Sequence, residues 1–132
     1  MIVVDASAVL EILLQTERAE RLMTRALDPL ERLHAPHLLD VEITHVLRRL
    51  VMQKSISAVR GDIALEDLAK LVIARHEHQA LVPRIWQLRD SLTAYDGAYV
   101  ALAEALQSPL LTCDAKLARS HGHSAHIELV GN

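Results

Sequence analysis

The sequence predicts an α/β fold, a central and mainly parallel β-sheet flanked by α-helices on both faces. Short apolar runs alternate along the chain with longer segments of helical periodicity, and this alternation implies strand–helix–strand units with right-handed crossovers. The first strand candidate, Ile2-Val3-Val4, is a β-branched run that reads as buried. At 132 residues, the chain is expected to form one compact domain with a core of its own. That core must be aliphatic, because half the chain is hydrophobic yet it contains one Trp, two Tyr and no Phe.

Taken in order, Ile2–Val4 is a strand that ends at Asp5. Ala6–Gln15 carries Val9, Leu10, Ile12, Leu13 and Leu14, as a helix packed on a sheet would. Glu17–Leu27 is amphipathic and is broken by Asp28-Pro29. Leu33-His34-Ala35 is a strand closed by Pro36. A strong helix follows from His37 to Met52. Ser57 caps a helix that runs to Lys70, and Leu71–His76 reads as a strand. Pro83 suits the start of a helix through Arg89, and Thr93 opens a helix over Ala94–Leu106. Leu110–Cys113 is a strand, Asp114–Ser120 a short helix and His126–Val130 the last strand. No repeat, linker or low-complexity tract interrupts this order.

Composition narrows the function. A formal charge of −3 excludes nonspecific gripping of nucleic acid by a broadly basic surface. The scarcity of aromatics argues against recognition by base stacking. The single Cys113 excludes an intrachain disulfide and reads as a small core residue. With no leader-like start and no run near the ~18 apolar residues of a membrane span, it points to a cytoplasmic protein.

In parallel α/β sheets, chemistry sits outside the carboxyl ends of the strands, and four acids deserve weighing there. Asp5 and Asp114 each end a strand and precede a helix, where an Asp also serves as an N-cap. Asp96 lies three residues after Thr93, in a pattern close to a capping box. Glu42 lies inside the His37–Met52 helix, where capping cannot explain it. It follows Leu39 by three residues and precedes Val46 by four, on the apolar stripe. A carboxylate there requires a cation or hydrogen bonds, and an arginine salt bridge is the plain alternative to a site. Converging carboxylates must hold protons or bind a divalent cation, and oxygen donors favour Mg²⁺ or Mn²⁺. Such ions suit phosphodiester hydrolysis and would draw RNA to an acidic protein. Ser7 and Thr112 stand close enough in sequence to Asp5 and Asp114 to join this site.

Met1-Ile2-Val3-Val4-Asp5-Ala6-Ser7-Ala8, Asp40-Val41-Glu42, Thr93-Ala94-Tyr95-Asp96 and Leu111-Thr112-Cys113-Asp114-x-x-Leu117 together resemble the PIN domain, and more closely the VapC toxins of type II toxin–antitoxin modules. The resemblance covers essentially the whole chain. It implies a PIN fold, Mg²⁺- or Mn²⁺-dependent endoribonuclease activity, a homodimer and inhibition by a cognate VapB-type antitoxin. It places Asp5, Glu42, Asp96 and Asp114 at the four family acid positions and Ser7 and Thr112 at accessory polar ones. The chain departs from the pattern at Gly97, where Ala is commoner, and at Lys116 and Arg119, where some relatives carry a further acid. The number of metal ions is therefore left open.

Other features read more plainly. His34-x-x-His37, His76-x-His78 and His121-x-His123 lack the cysteine partners or helical spacing of a zinc site. His45 lies one turn from Glu42. Arg48, Arg49, Lys54, Arg84, Arg89, Lys116 and Arg119 are candidates for phosphate contact, and Tyr95 and Tyr99 for core or interface. Two other functions fit an α/β domain with strand-end acids: a phospho-acceptor signalling domain, which would want a strand-end Lys, and a catalytically silent interaction module.

Overall fold

The computed structural model describes residues 1–131. Among these residues, five strands, β1 (Ile2–Val4), β2 (Leu33–Pro36), β3 (Ile73–His76), β4 (Leu110–Thr112) and β5 (Ile127–Leu129), form one sheet in the order β3-β2-β1-β4-β5. Every pairing is parallel. Val3 lies at the centre, in register with His34 on one side and Leu110 on the other. The chain leaves β1 toward β2 and β3, and returns to its other edge at β4. The strand order therefore reverses at β1, the point at which parallel α/β folds characteristically form a crevice beyond the carboxyl ends of their strands.

Among the described residues, seven helices flank this sheet: α1 (Ala6–Leu13), α2 (Ala19–Ala26), α3 (Leu38–Met52), α4 (Ala58–Lys70), α5 (Val82–Gln87), α6 (Ala94–Leu106) and α7 (Ala115–Ala118). Side-chain caps fix four helix starts. The Ser57 Oγ accepts from the Arg60 N–H at 3.0 Å, and Thr93 Oγ1 from the Asp96 N–H at 3.1 Å; Asp5 and Asp114 cap α1 and α7. Each such cap stabilises its helix by about 1 kcal/mol. The central helix α6 is buried continuously from Gly97 to Ala103, which its small residues allow as it packs on β1, β2 and β4. The core is aliphatic, with Ile2, Val3, Val4, Leu39, Ile43, Leu110 and Leu111 fully buried and Tyr99 its one large aromatic.

The boundaries differ from the periodicity in instructive ways. The first helix stops at Leu13 rather than Gln15, because Gln15 turns to φ 52°. Leu71 does not join β3, since its N–H closes the end of α4 on the Asp67 and Leu68 carbonyls; Val72 is exposed, and the strand starts at Ile73. Pro36 belongs to β2, opposite His76. Val82 precedes Pro83 into α5, after a 3₁₀ turn over Gln79–Leu81. Gly97 also has a packing reason: a Cβ there would meet Ile85 Cγ2 of α5 at 3.3 Å. Among the described residues, no helix is long and apolar enough to cross a membrane.

Candidate active site

Asp5 is the best-ordered acid. It follows β1 directly, is 5% exposed and uses both carboxylate oxygens. Oδ1 accepts from Ser7 Oγ at 2.7 Å and from the Ala8 N–H at 3.0 Å, while Oδ2 accepts from Thr112 Oγ1 at 2.5 Å. A hydroxyl has one proton, so both hydroxyls are committed to Asp5 and remain acceptors elsewhere. Ser7 Oγ accepts from the Cys113 N–H at 2.9 Å, and Thr112 Oγ1 from the Asp114 N–H at 3.0 Å. The ends of β1 and β4 are thereby laced together by side chains. Burial pushes the Asp5 carboxyl up; its three hydrogen bonds pull it down, and the charge of Asp96 adds to the rise.

Asp114 follows β4 and caps α7 through Oδ1, which accepts from the Lys116 and Leu117 N–H groups at 2.9 and 3.3 Å. Asp96 sits half-buried in the first turn of α6. Burial raises its carboxyl, the Asp114 charge raises it further, and Lys116 opposes both. Glu42 projects from α3 beside the buried Leu39–Ile43–Leu47 stripe and is itself only half-buried. Burial raises its carboxyl too, with the charges of Asp96 and Asp5 adding to the effect. The four acids thus come from four separate parts of the chain; the charge of Asp96 is felt at Asp5 and Glu42, that of Asp5 at Glu42, and that of Asp114 at Asp96.

Glu42 is held by a phenol rather than an arginine. Tyr99 Oη donates to Glu42 Oε1 at 2.6 Å from a side chain that is 1% exposed. Burial and this bond keep the phenol protonated well above its ordinary range. Sequence reasoning treated Tyr95 and Tyr99 alike, but Tyr95 is exposed, and only the three-residue step from Asp96 to Tyr99 along one helix could have marked the latter. Tyr95 instead borders an open groove of about 460 Å³, lined also by Ala6, Val41, Glu42, His45 and Val46. Two other candidates are engaged elsewhere. Arg84 is fixed bidentately on Glu104, and Arg89 stacks over Trp86. His34 pairs with His76 of the neighbouring strand, Nδ1 to Nε2 at 2.8 Å, rather than with His37.

A PIN-domain family model matches residues 2–121. Ribonuclease VapC12 of Mycobacterium tuberculosis is 43% identical over 130 residues, covering 98% of this chain and 99% of that protein. The chain is a PIN domain of the VapC family. Ribonuclease VapC9 of the same organism is 46% identical over 117 residues, covering 89% of this chain and 88% of the relative. Solved structures share the fold at lower identity. M. tuberculosis VapC20, described as a sarcin–ricin-loop-cleaving toxin, superposes with a TM-score of 0.71 at 12% identity, over 94% of this chain and 97% of the other. The VapBC2 structure from Rickettsia felis, bound to a promoter DNA fragment, gives 0.70 at 13%, over 98% of each chain.

The donor chemistry of this PIN domain fits a divalent cation. All four acids are oxygen donors, and three of them hold their protons more tightly because they are buried close to one another. Among the described residues, no three His, Cys, Asp or Glu side chains stand close enough together to hold a metal ion between them. The fit therefore lies in the charge and the oxygen donors of these residues and not in a preformed ligand set.

Proposed function

We propose that the protein is an Mg²⁺- or Mn²⁺-dependent endoribonuclease and the toxin of a type II module, hydrolysing RNA phosphodiester bonds at Asp5, Glu42, Asp96 and Asp114. The observation that carries this reading is the placement of Asp5. It is a nearly inaccessible carboxylate at the point where the strand order reverses, oriented on both oxygens and close enough to Asp96 and Glu42 for their charges to interact with its own. A cap alone needs one oxygen; the second is held by Thr112 from a strand 107 residues away. When bound, a divalent cation supplies a Lewis acid for the phosphate and lowers the pKa of a water. The chain's own part is to hold the carboxylates. Ser7, Thr112 and the Ala8 N–H fix Asp5, Tyr99 fixes Glu42, and the first turn of α6 presents Asp96. Lys116, whose charge is felt at Asp96, offers a contact for the substrate phosphate.

VapC-family membership supports the RNA substrate and a cognate VapB-type antitoxin that covers the acids; a homodimer is part of the same reading. The test is cleavage of RNA in Mg²⁺ or Mn²⁺, in EDTA, and by Asp5→Asn and Asp96→Asn. Loss of ~100-fold or more is expected in EDTA and in both variants, with circular dichroism unchanged. Cleavage that survives both chelator and substitution rejects the proposal. An interaction module with no catalysis would instead show no metal-dependent cleavage in the wild type.

A further inference from the structure

We propose that Tyr99 is the positioning residue of this site, fixing Glu42 through a neutral hydrogen bond that leaves the carboxylate's charge available to a divalent cation. The inference rests on the metal-site reading above. A glutamate on a helix has a long, mobile side chain, and one that must present an oxygen at a set point needs a second anchor. An arginine would anchor it but would also neutralise it. A phenol donates one hydrogen bond and no charge. Here the bond is 2.6 Å, to Oε1, and no other side chain among the described residues hydrogen-bonds Glu42. Among these residues, Oε2 is therefore left without a side-chain partner.

The anchor is itself fixed. Tyr99 is 1% exposed, in the stretch of α6 buried from Gly97 to Ala103, so the phenol cannot swing. It stands three residues after Asp96, and one helix face thereby presents an acid and also secures the acid offered by α3. Packing alone does not call for the hydroxyl, since this core is otherwise aliphatic.

The test is direct Mn²⁺ binding to the full chain without RNA, by calorimetry, for wild type, Tyr99→Phe, Glu42→Gln and the double variant. Tyr99→Phe keeps the ring and is expected to weaken Mn²⁺ binding about 10-fold, in the range for groups that orient a metal ligand. Because the phenol acts through Glu42, the double variant should bind no more weakly than Glu42→Gln alone. Unchanged binding in Tyr99→Phe beside weakened binding in Glu42→Gln overturns the role of Tyr99 and leaves the metal site standing. Additive losses also overturn it. No binding by the wild type removes the metal site, and this inference with it. A second measurement needs no substitution of Tyr99. The chain has two tyrosines, so ¹³Cζ-tyrosine labelling gives two resonances. Saturating Mg²⁺ should shift that of Tyr99 in the wild type and not in Glu42→Gln; a Tyr99 resonance indifferent to bound Mg²⁺ overturns the proposal even if Tyr99→Phe does not fold.

Discussion

Asp5 caps a helix at the carboxyl end of β1, and Asp114 caps another just beyond β4. In the sequence, capping and a place in a site look like rivals; in the structure Asp5 caps through Oδ1 and is held by Thr112 through Oδ2. That is why cap logic alone could find the positions but not decide their use. The hydroxyls of Ser7 and Thr112 were near enough in sequence to be named, whereas the Glu42–Tyr99 bond spans 57 residues and follows no local pattern. Two consequences belong at this scale. Thr112→Val should destabilise by about 1–3 kcal/mol in thermal melts, since it strips a donor from the buried Asp5 and strands the Asp114 N–H. The second concerns pH. Asp5 binds its proton more tightly folded than unfolded, so its contribution to stability is present below the ordinary value of 3.8 and is lost as pH rises through the raised folded value. In EDTA, Asp5→Asn should therefore melt above the wild type at neutral pH, with the gap closing toward acid. Mn²⁺ should raise the wild-type melting temperature and leave the variant's nearly unchanged.

Helices and strands were readable because the sheet is parallel and its central strands β1, β2 and β4 are largely buried, so apolar runs and helical periods alternate cleanly. Their ends were not, because backbone groups at each junction choose between neighbours that periodicity does not encode, as Leu71 does between α4 and β3. The ion pairs that bind elements together were equally invisible. Arg75 grips Asp40 with two nitrogens and ties β3 to α3, Arg25 grips Glu128 and ties α2 to β5, and Arg84 ties α5 to α6 through Glu104. Arg84 and the Ser124 donors hold the Glu104 carboxyl down to about 2. Its stabilising effect is fully present above the ordinary 4.5 and is lost as pH falls from there toward 2. Titration of thermal stability should show that Glu104→Gln costs stability at neutral pH and that the difference from wild type vanishes in that acid window. Close helix packing gives another test. A Cβ on Gly61 of α4 would lie 3.1 Å from Val51 Cγ2 of α3, so Gly61→Val should lower stability by ~1–3 kcal/mol in denaturant titrations, without touching the acids.

Across the whole molecule, the decisive arrangement is β1 paired with β4 at the reversal of strand order. Alternation of elements predicts a parallel sheet, and the strand-end rule points to its carboxyl end, where the structure places Asp5 and Asp114 after β1 and β4. The order β3-β2-β1-β4-β5 was not itself readable, since periodicity says which segments are strands but not which will be neighbours. That order also governs when the centre can exist during synthesis. Thr112, which secures one oxygen of Asp5, and Asp114 are made more than a hundred positions after Asp5 itself. Until β4 has been made and has docked beside β1, the growing polypeptide carries an acid with no setting. Any product that stops short of Thr112 therefore lacks the hydroxyl that secures one oxygen of Asp5, and with it the assembled acid cluster.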